Sequence, residues 1–148
     1  MAHTFTSILV HAVFSTSGRA PLLTDSIRAD VHAYVGGILR ELHAVPIAIG
    51  GTVDHVHLLV RLPADLSAAD CLRVVKTNSS RWMKERWRRP FAWQRGYGAF
   101  SVSESRRAAV IRYINDQARH HRRISFQEEF LALLKNHRVE FDERYIWQ

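Results

Sequence analysis

The chain has 148 residues, 47% hydrophobic and 24% charged, which excludes a disordered protein and fits one folded domain, residues 1–148. A single cysteine, Cys71, excludes an internal disulfide, and no apolar run approaches the ~20 residues that span a bilayer. The formal charge of +7 is uneven: residues 73–123 carry 14 Lys and Arg against three acidic residues, while both flanks are net negative. An excess of one sign on this scale points to a polyanionic partner, with nucleic acid the leading class. The N-terminus has no signal-peptide pattern, so a cytoplasmic protein, nucleoid-associated when bound to DNA and with no membrane attachment, is expected.

Phe5 to Phe14 is β-branched and aromatic and reads as a buried strand, closed by a turn at Arg19-Ala20-Pro21. Asp25 to Leu42 reads as a helix, with Ile27, Val31, Val35 and Ile38 at helical spacing and Thr24 or Asp25 as N-cap. Val45 to Val53 and His55 to Leu62 read as two strands around Gly50-Gly51, and Pro63 stops the second. A second helix runs from Ser67 to about Trp87, a fourth strand from Tyr97 to Val102, and a third helix from Ser103 to about His121. Ser125, with Glu128 three residues on, has the capping-box spacing and opens a short helix to Lys135. The order β-α-β-β-α-β, then helices, predicts an α+β, ferredoxin-like (split β-α-β) fold. Its antiparallel sheet has helices on one face and carries a C-terminal catalytic helix.

Three groups of residues carry candidate chemistry. In His55-Val56-His57 the strand period places both imidazoles on one face, with roughly 6.5–7 Å between Cα atoms, within reach of one divalent ion. Tyr113 and Gln117 are spaced i, i+4 and share a helix face that His120 and His121 continue, beside an apolar stripe of Ile111, Ile114 and Ala118. A phenol next to a metal is a candidate nucleophile. From Arg81 to Tyr97 cations alternate with aromatic rings (Trp82, Trp87, Phe91, Trp93), the combination that tracks a phosphate backbone and stacks unpaired bases. The candidate DNA-binding residues are Lys76, Arg81, Lys84, Arg86, Arg88, Arg89, Arg95 and Arg112.

Taken together and in order, these motifs resemble the single-tyrosine HUH transposases, the insertion-sequence and REP-associated enzymes. The resemblance rests on His11-Ala12-Val13-Phe14-Ser15-Thr16, Arg19-Ala20-Pro21-Leu22-Leu23, Val53 to Leu59, the Trp93 to Ser103 string, Tyr113-Ile114-Asn115-Asp116-Gln117 and the closing Asp142 to Trp147. It implies that His55 and His57 are metal ligands, that Gln117 supplies the third through its side-chain oxygen, and that Tyr113 is the nucleophile. The activity implied is metal-dependent cleavage and rejoining of single-stranded DNA, with Mg²⁺ or Mn²⁺ and a 5′-phosphotyrosine intermediate. Implied partners are hairpin-containing element ends and a second copy in a homodimer whose sheets join. His120 and His121 are reserve ligands should Gln117 not serve. The alternative class is a non-catalytic or domesticated single-stranded nucleic-acid binder, and a weaker one is a nucleotide hydrolase built on the histidine cluster.

Overall fold

The computed structural model describes residues 3–147. The strands are β1 (Leu9–Ser15), β2 (Val45–Gly51), β3 (His55–Arg61) and β4 (Gly98–Val102). The helices are α1 (Asp25–Glu41), α2 (Ala68–Trp87), α3 (Arg107–Asn115), α4 (Gln117–His120) and α5 (Phe126–Asn136). The strands form one four-stranded antiparallel sheet in the order β2-β3-β1-β4. Each of α1 and α2 connects two strands that flank a third. This interleaving makes the split β-α-β arrangement, and the fold is α+β as expected.

The alternation of β1 and β3 sorts the sheet into two unlike faces. On one face Ala12, Phe14, Val56, Leu58 and Val60 form a continuous core with α1 and α2. Trp82 of α2 stacks on Tyr34 of α1, with ring centroids 4.2 Å apart and planes 6° from parallel. The other face carries His11, Val13, His55 and His57, and here the structure departs from the expected one-sided layering, because α3, α4 and α5 cover it. Ile114 packs on Leu9, Ala48 and Leu59, and α5 lays Phe126, Phe130 and Leu134 against Val13 and Phe100. A sheet whose second face also holds Val13 and Leu59 must cover those side chains, and the amphipathic C-terminal helices do so.

Two predicted elements are shorter or broken. The first strand begins at Leu9 rather than Phe5, which is 92% exposed. Leu9 pairs with Arg61 and Val102, the last residues of the neighbouring strands, so the chain before it has no ladder to join. The third helix is not continuous either. A 3₁₀ turn over Glu104–Arg106 leads into α3, and Asp116 (φ −103°, ψ 20°) interrupts the helix before α4. The interruption turns Ala118 out to solvent, so of the expected docking stripe Ile114 is buried, Ile111 is half-buried and Ala118 contributes nothing.

Gly50 sets how closely α3 approaches the sheet. A Cβ there would collide with the Ile114 carbonyl oxygen and lie 2.9 Å from Ile114 Cγ2. Glycine's missing side chain is therefore what lets α3 sit directly on β2.

Candidate active site

His55 and His57 are fully buried on β3 and point into the space between the sheet and the C-terminal helices. Each ring is anchored by its outer nitrogen. His55 Nδ1 lies 2.7 Å from Asp54 Oδ1 and 3.1 Å from Thr52 Oγ1, and His57 Nδ1 lies 2.8 Å from His11 Nε2. Burial opposes ionisation of Asp54, yet its bond to His55 holds the carboxyl below its ordinary range, so it is an acceptor and His55 Nδ1 donates to it. In the neutral ring this leaves the His55 Nε2 lone pair facing inward, the orientation that a histidine–carboxylate pair imposes on metal ligands.

Gln117 is buried on α4, and its amide orientation is set by its neighbours. Its nitrogen donates to Glu129 Oε2 at 3.2 Å and to the Tyr113 carbonyl at 3.4 Å, which turns Oε1 to within 3.0 Å of His55 Nε2. His55 Nε2 and Gln117 Oε1 thus converge at hydrogen-bond distance. That contact is favourable only with a proton or a metal cation between them.

Tyr113, on α3, donates its hydroxyl to Glu129 Oε2, and its ring centroid is 5.7 Å from that of His57. The tyrosine thus reaches the histidine pair of its own chain. Burial, reinforced by the Glu129 charge, holds the phenol well above its ordinary pKa.

The structure brings His55, His57, Tyr113, Gln117 and the reserve ligand His121 together, and it adds Glu129 and His11, to which the sequence reading gave no role at the site. Glu129 of α5 is buried at the centre, with Oε1 2.8 Å from His57 Nε2, 3.5 Å from His55 Nε2 and 3.1 Å from His121 Nε2. Burial raises the cost of its charge, but bonds from His121 and His57 hold the carboxyl far below the ordinary range, so it is ionised. His121, one of the reserve ligands, lies just past α4, whereas His120 reaches only the outer oxygen, Oε2, at 3.2 Å. His11 is the other addition. Burial and the neighbouring His57 lower its pKa to about 3, so it is a neutral partner for His57. A signal for Glu129 was present in the sequence: a carboxylate among Phe126, Phe130 and Leu134 falls within the apolar stripe of its helix. The ligand atoms of His55, His57, His121 and Glu129 lie within 4.8 Å of one another, a set that could hold a metal ion.

Two openings flank the cluster. One, of about 620 Å³, is lined by His11, Ser103, Arg106, Tyr113 and Asn136, and the other, of about 430 Å³, by Arg28, Asp54, His121 and Ser125.

The basic residues lie elsewhere. Arg81, Lys84 and Arg95, joined by Arg73, line a groove of about 590 Å³ beside α2. Arg86, Arg88, Arg89 and Arg112 are exposed outside it. Lys76 also borders the groove, but its ammonium is already spent on the carbonyls of Gln94, Arg95 and Gly96, at 2.7, 3.1 and 2.9 Å. The expected aromatic stacking platform is largely absent. Phe91 and Trp93 are core residues, the Trp93 N–H donates to Ser79 Oγ, and Trp82 is taken up by Tyr34 and Trp87. Of that run only Tyr97, 37% exposed, offers an open ring. Large rings on the sheet side of α2 lower the free energy more by burial than by waiting for a base.

Residues 4–117 match the family model described as "Transposase IS200 like". The chain belongs to this transposase family. Solved structures with the same fold include a candidate transposase from Deinococcus radiodurans R1 (TM-score 0.65, 22% identity, 79% of this chain and 95% of that one). Another is a REP-associated tyrosine transposase bound to a REP hairpin (TM-score 0.58, 13% identity, 77% of this chain and 68% of that one). No curated protein matches the chain. The transposase match covers β1 through the start of α4, so it includes the two histidines, Tyr113 and Gln117 but neither His121 nor Glu129.

Proposed function

We propose that this transposase cleaves and rejoins single-stranded DNA through a covalent bond to Tyr113, as one endonuclease domain. His55, His57 and Gln117 would hold a divalent ion, Mg²⁺ or Mn²⁺. When bound, such an ion draws electron density from the scissile phosphate and neutralises its developing charge. The observation that carries this reading is the convergence of His55 Nε2 and Gln117 Oε1, 3.0 Å apart, with the Tyr113 hydroxyl in the same cluster.

The roles of the chain's own groups follow from their surroundings. Tyr113 Oη attacks phosphorus, forming a Tyr–O–P bond as the P–O3′ bond breaks, and the departing oxygen takes a proton to become a free 3′-hydroxyl. Glu129, which already accepts from that phenol, holds the hydroxyl in place and lies where its proton can go. The reverse attack by a 3′-hydroxyl releases Tyr113 and reseals DNA, because the phosphodiester energy is kept in the phosphotyrosine. Asp54 and His11 fix the histidine rings from behind.

The substrate reading is single-stranded DNA with hairpin-containing element ends. The REP-associated relative is described as bound to such a hairpin, and this chain has a basic groove lined by Arg81, Lys84 and Arg95 to receive phosphates. A homodimer formed through the sheet is part of the proposal, since β2 and β4 each have an unpaired edge among the described residues.

The test uses single-stranded oligonucleotides from both flanks of the gene, with Mg²⁺ or Mn²⁺, resolved on a denaturing gel. A metal-dependent, denaturant-stable protein–DNA band is expected from the wild type, none from Tyr113→Phe, and none from His57→Ala. A band that persists in Tyr113→Phe removes the tyrosine from this role. Strand-selective binding without a band in any form favours a non-catalytic binder instead.

A further inference from the structure

We infer that the metal site is larger than the motif pair and its glutamine: Glu129 and His121 are ligands as well, making a three-imidazole, one-carboxylate set that holds Mn²⁺ more tightly than Mg²⁺. This rests on the reading that His55 and His57 hold an ion, and it extends that site to residues beyond 117, where the family match ends.

Four observations carry it. First, Glu129 Oε1 lies 2.8 Å from His57 Nε2, 3.1 Å from His121 Nε2 and 3.5 Å from His55 Nε2. Ligand atoms around a first-row ion at ~2.1 Å stand roughly 3 Å apart at right angles, so these atoms already have ligand spacing. Second, His121 is mounted as a ligand. Its Nδ1 donates to the Ile124 carbonyl at 2.9 Å, which leaves Nε2 as the inward atom. That Nε2 is shielded from solvent and stands 3.1 Å from Glu129 Oε1. Third, all three histidines are held by Nδ1 and converge through Nε2, using a carboxylate, an imidazole and a backbone carbonyl as three different anchors. Fourth, Glu129 is 1% exposed, and a carboxylate reaches a domain core only where partners gather round it.

The donor set also decides the class of ion. Mg²⁺ prefers oxygen ligands and keeps much of its water, whereas imidazole nitrogens suit later first-row ions such as Fe²⁺, Ni²⁺ and Zn²⁺, and Mn²⁺, at the weak end of that series, accepts a mixed nitrogen and oxygen set. His55, His57 and His121 would supply three nitrogens, Glu129 Oε1 one charged oxygen and Gln117 Oε1 one neutral oxygen. Glu129 Oε2 stays on the Tyr113 hydroxyl, so one carboxylate would link the ion to the tyrosine.

Metal-free full-length protein is titrated with Mn²⁺ by calorimetry, and bound Mn²⁺ is read by electron spin-echo modulation, which reports coordinated imidazole nitrogen. Wild type is compared with Glu129→Gln, His121→Asn and His57→Ala, with folding followed by circular dichroism. Glu129→Gln should weaken Mn²⁺ binding about tenfold or more. The nitrogen signal should correspond to three imidazoles in the wild type and two in His121→Asn. Mg²⁺ at a large excess should not displace Mn²⁺. If Glu129→Gln does not fold, the nitrogen count in His121→Asn still decides. Mn²⁺ affinity unchanged in both Glu129→Gln and His121→Asn, but lost in His57→Ala, overturns the inference and leaves the proposed function standing. Binding that depends on Glu129, with no covalent DNA band from the wild type, overturns the proposed function and leaves this inference standing. Mg²⁺ binding as tightly as Mn²⁺ overturns the ion class.

Discussion

His11 shows how one buried side chain ties the candidate site to the stability of the fold. It lies diagonally across the β1–β3 ladder from His57 and stacks on it at 5.0 Å between centroids. Burial lowers its pKa to about 3, whereas in the unfolded chain it titrates near 6.5. Between those two pH values the unfolded state binds more protons than the folded one. His11 therefore leaves stability untouched above pH ~6.5 and erodes it as pH falls toward 3, by at most ~1.4 kcal/mol per pH unit. Urea unfolding across this range should show the midpoint falling with acidification. His11→Asn keeps a hydrogen-bonding side chain beside His57 but does not titrate, and should flatten the slope. Equal slopes in the two proteins would place the acid sensitivity elsewhere, in His57 or in His32, whose pKa burial lowers to about 4.

At the scale of elements, the site depends on three separate pieces meeting. β3 brings His55 and His57, the α3–α4 pair brings Tyr113, Gln117 and His121, and α5 brings Glu129. Gly50 governs the first junction, because its Cα stands against the Ile114 backbone. Gly50→Ala should push α3 off β2 by several tenths of an ångström or more. It should destabilise the protein by roughly 1–3 kcal/mol, as overpacking does, and lower strand cleavage further than the stability loss explains. Thermal unfolding and the oligonucleotide gel measure the two effects separately, and an unchanged cleavage rate would show that α3 placement is not limiting. The third piece is held by Ser125, whose hydroxyl accepts from the Glu128 N–H at 3.2 Å and starts α5. Ser125→Ala should cost about 1 kcal/mol and loosen the helix that delivers Glu129. Faster amide exchange confined to residues 126–136 is the expected signature, and exchange unchanged from wild type would count against the cap.

Over the whole molecule, the charge excess of residues 73–123 resolves into a surface rather than a single motif. Arg73, Arg81, Lys84 and Arg95 line one groove, and Lys76 braces its wall by holding the 94–96 carbonyls. The affinity for single-stranded DNA should therefore fall with salt, the logarithmic slope being about −0.7 for each phosphate contacted. Arg81→Ala and Lys84→Ala should each reduce that slope by about one contact and weaken binding irrespective of sequence. Fluorescence anisotropy over a range of salt concentrations reads both quantities, and slopes equal to wild type would move the DNA path off this groove. Lys76→Ala should behave differently, lowering stability through the loop it holds more than it alters the salt slope.

Much of this protein was legible in local pattern. Period-two alternation and turn chemistry are short-range properties, so the order β-α-β-β-α-β, the shared face of His55 and His57 and the cap at Ser125 follow from neighbouring residues. The family match spans residues 4–117, which hold all of the quoted strings except the closing Asp142 to Trp147. What lay beyond sequence reading was each distant contact that the resemblance did not already imply. Glu129 is 72 residues from the His57 nitrogen it meets, and no periodicity links the two. The break at Asp116, the covering of the second sheet face and the burial of Trp93 likewise depend on what packs opposite. A side chain's place, in core, in solvent or at a metal, is decided by the surface that closes over it. The sequence by itself determined the elements, their order and the transposase family. Only the tertiary structure decided which carboxylate and which third histidine stand at the site.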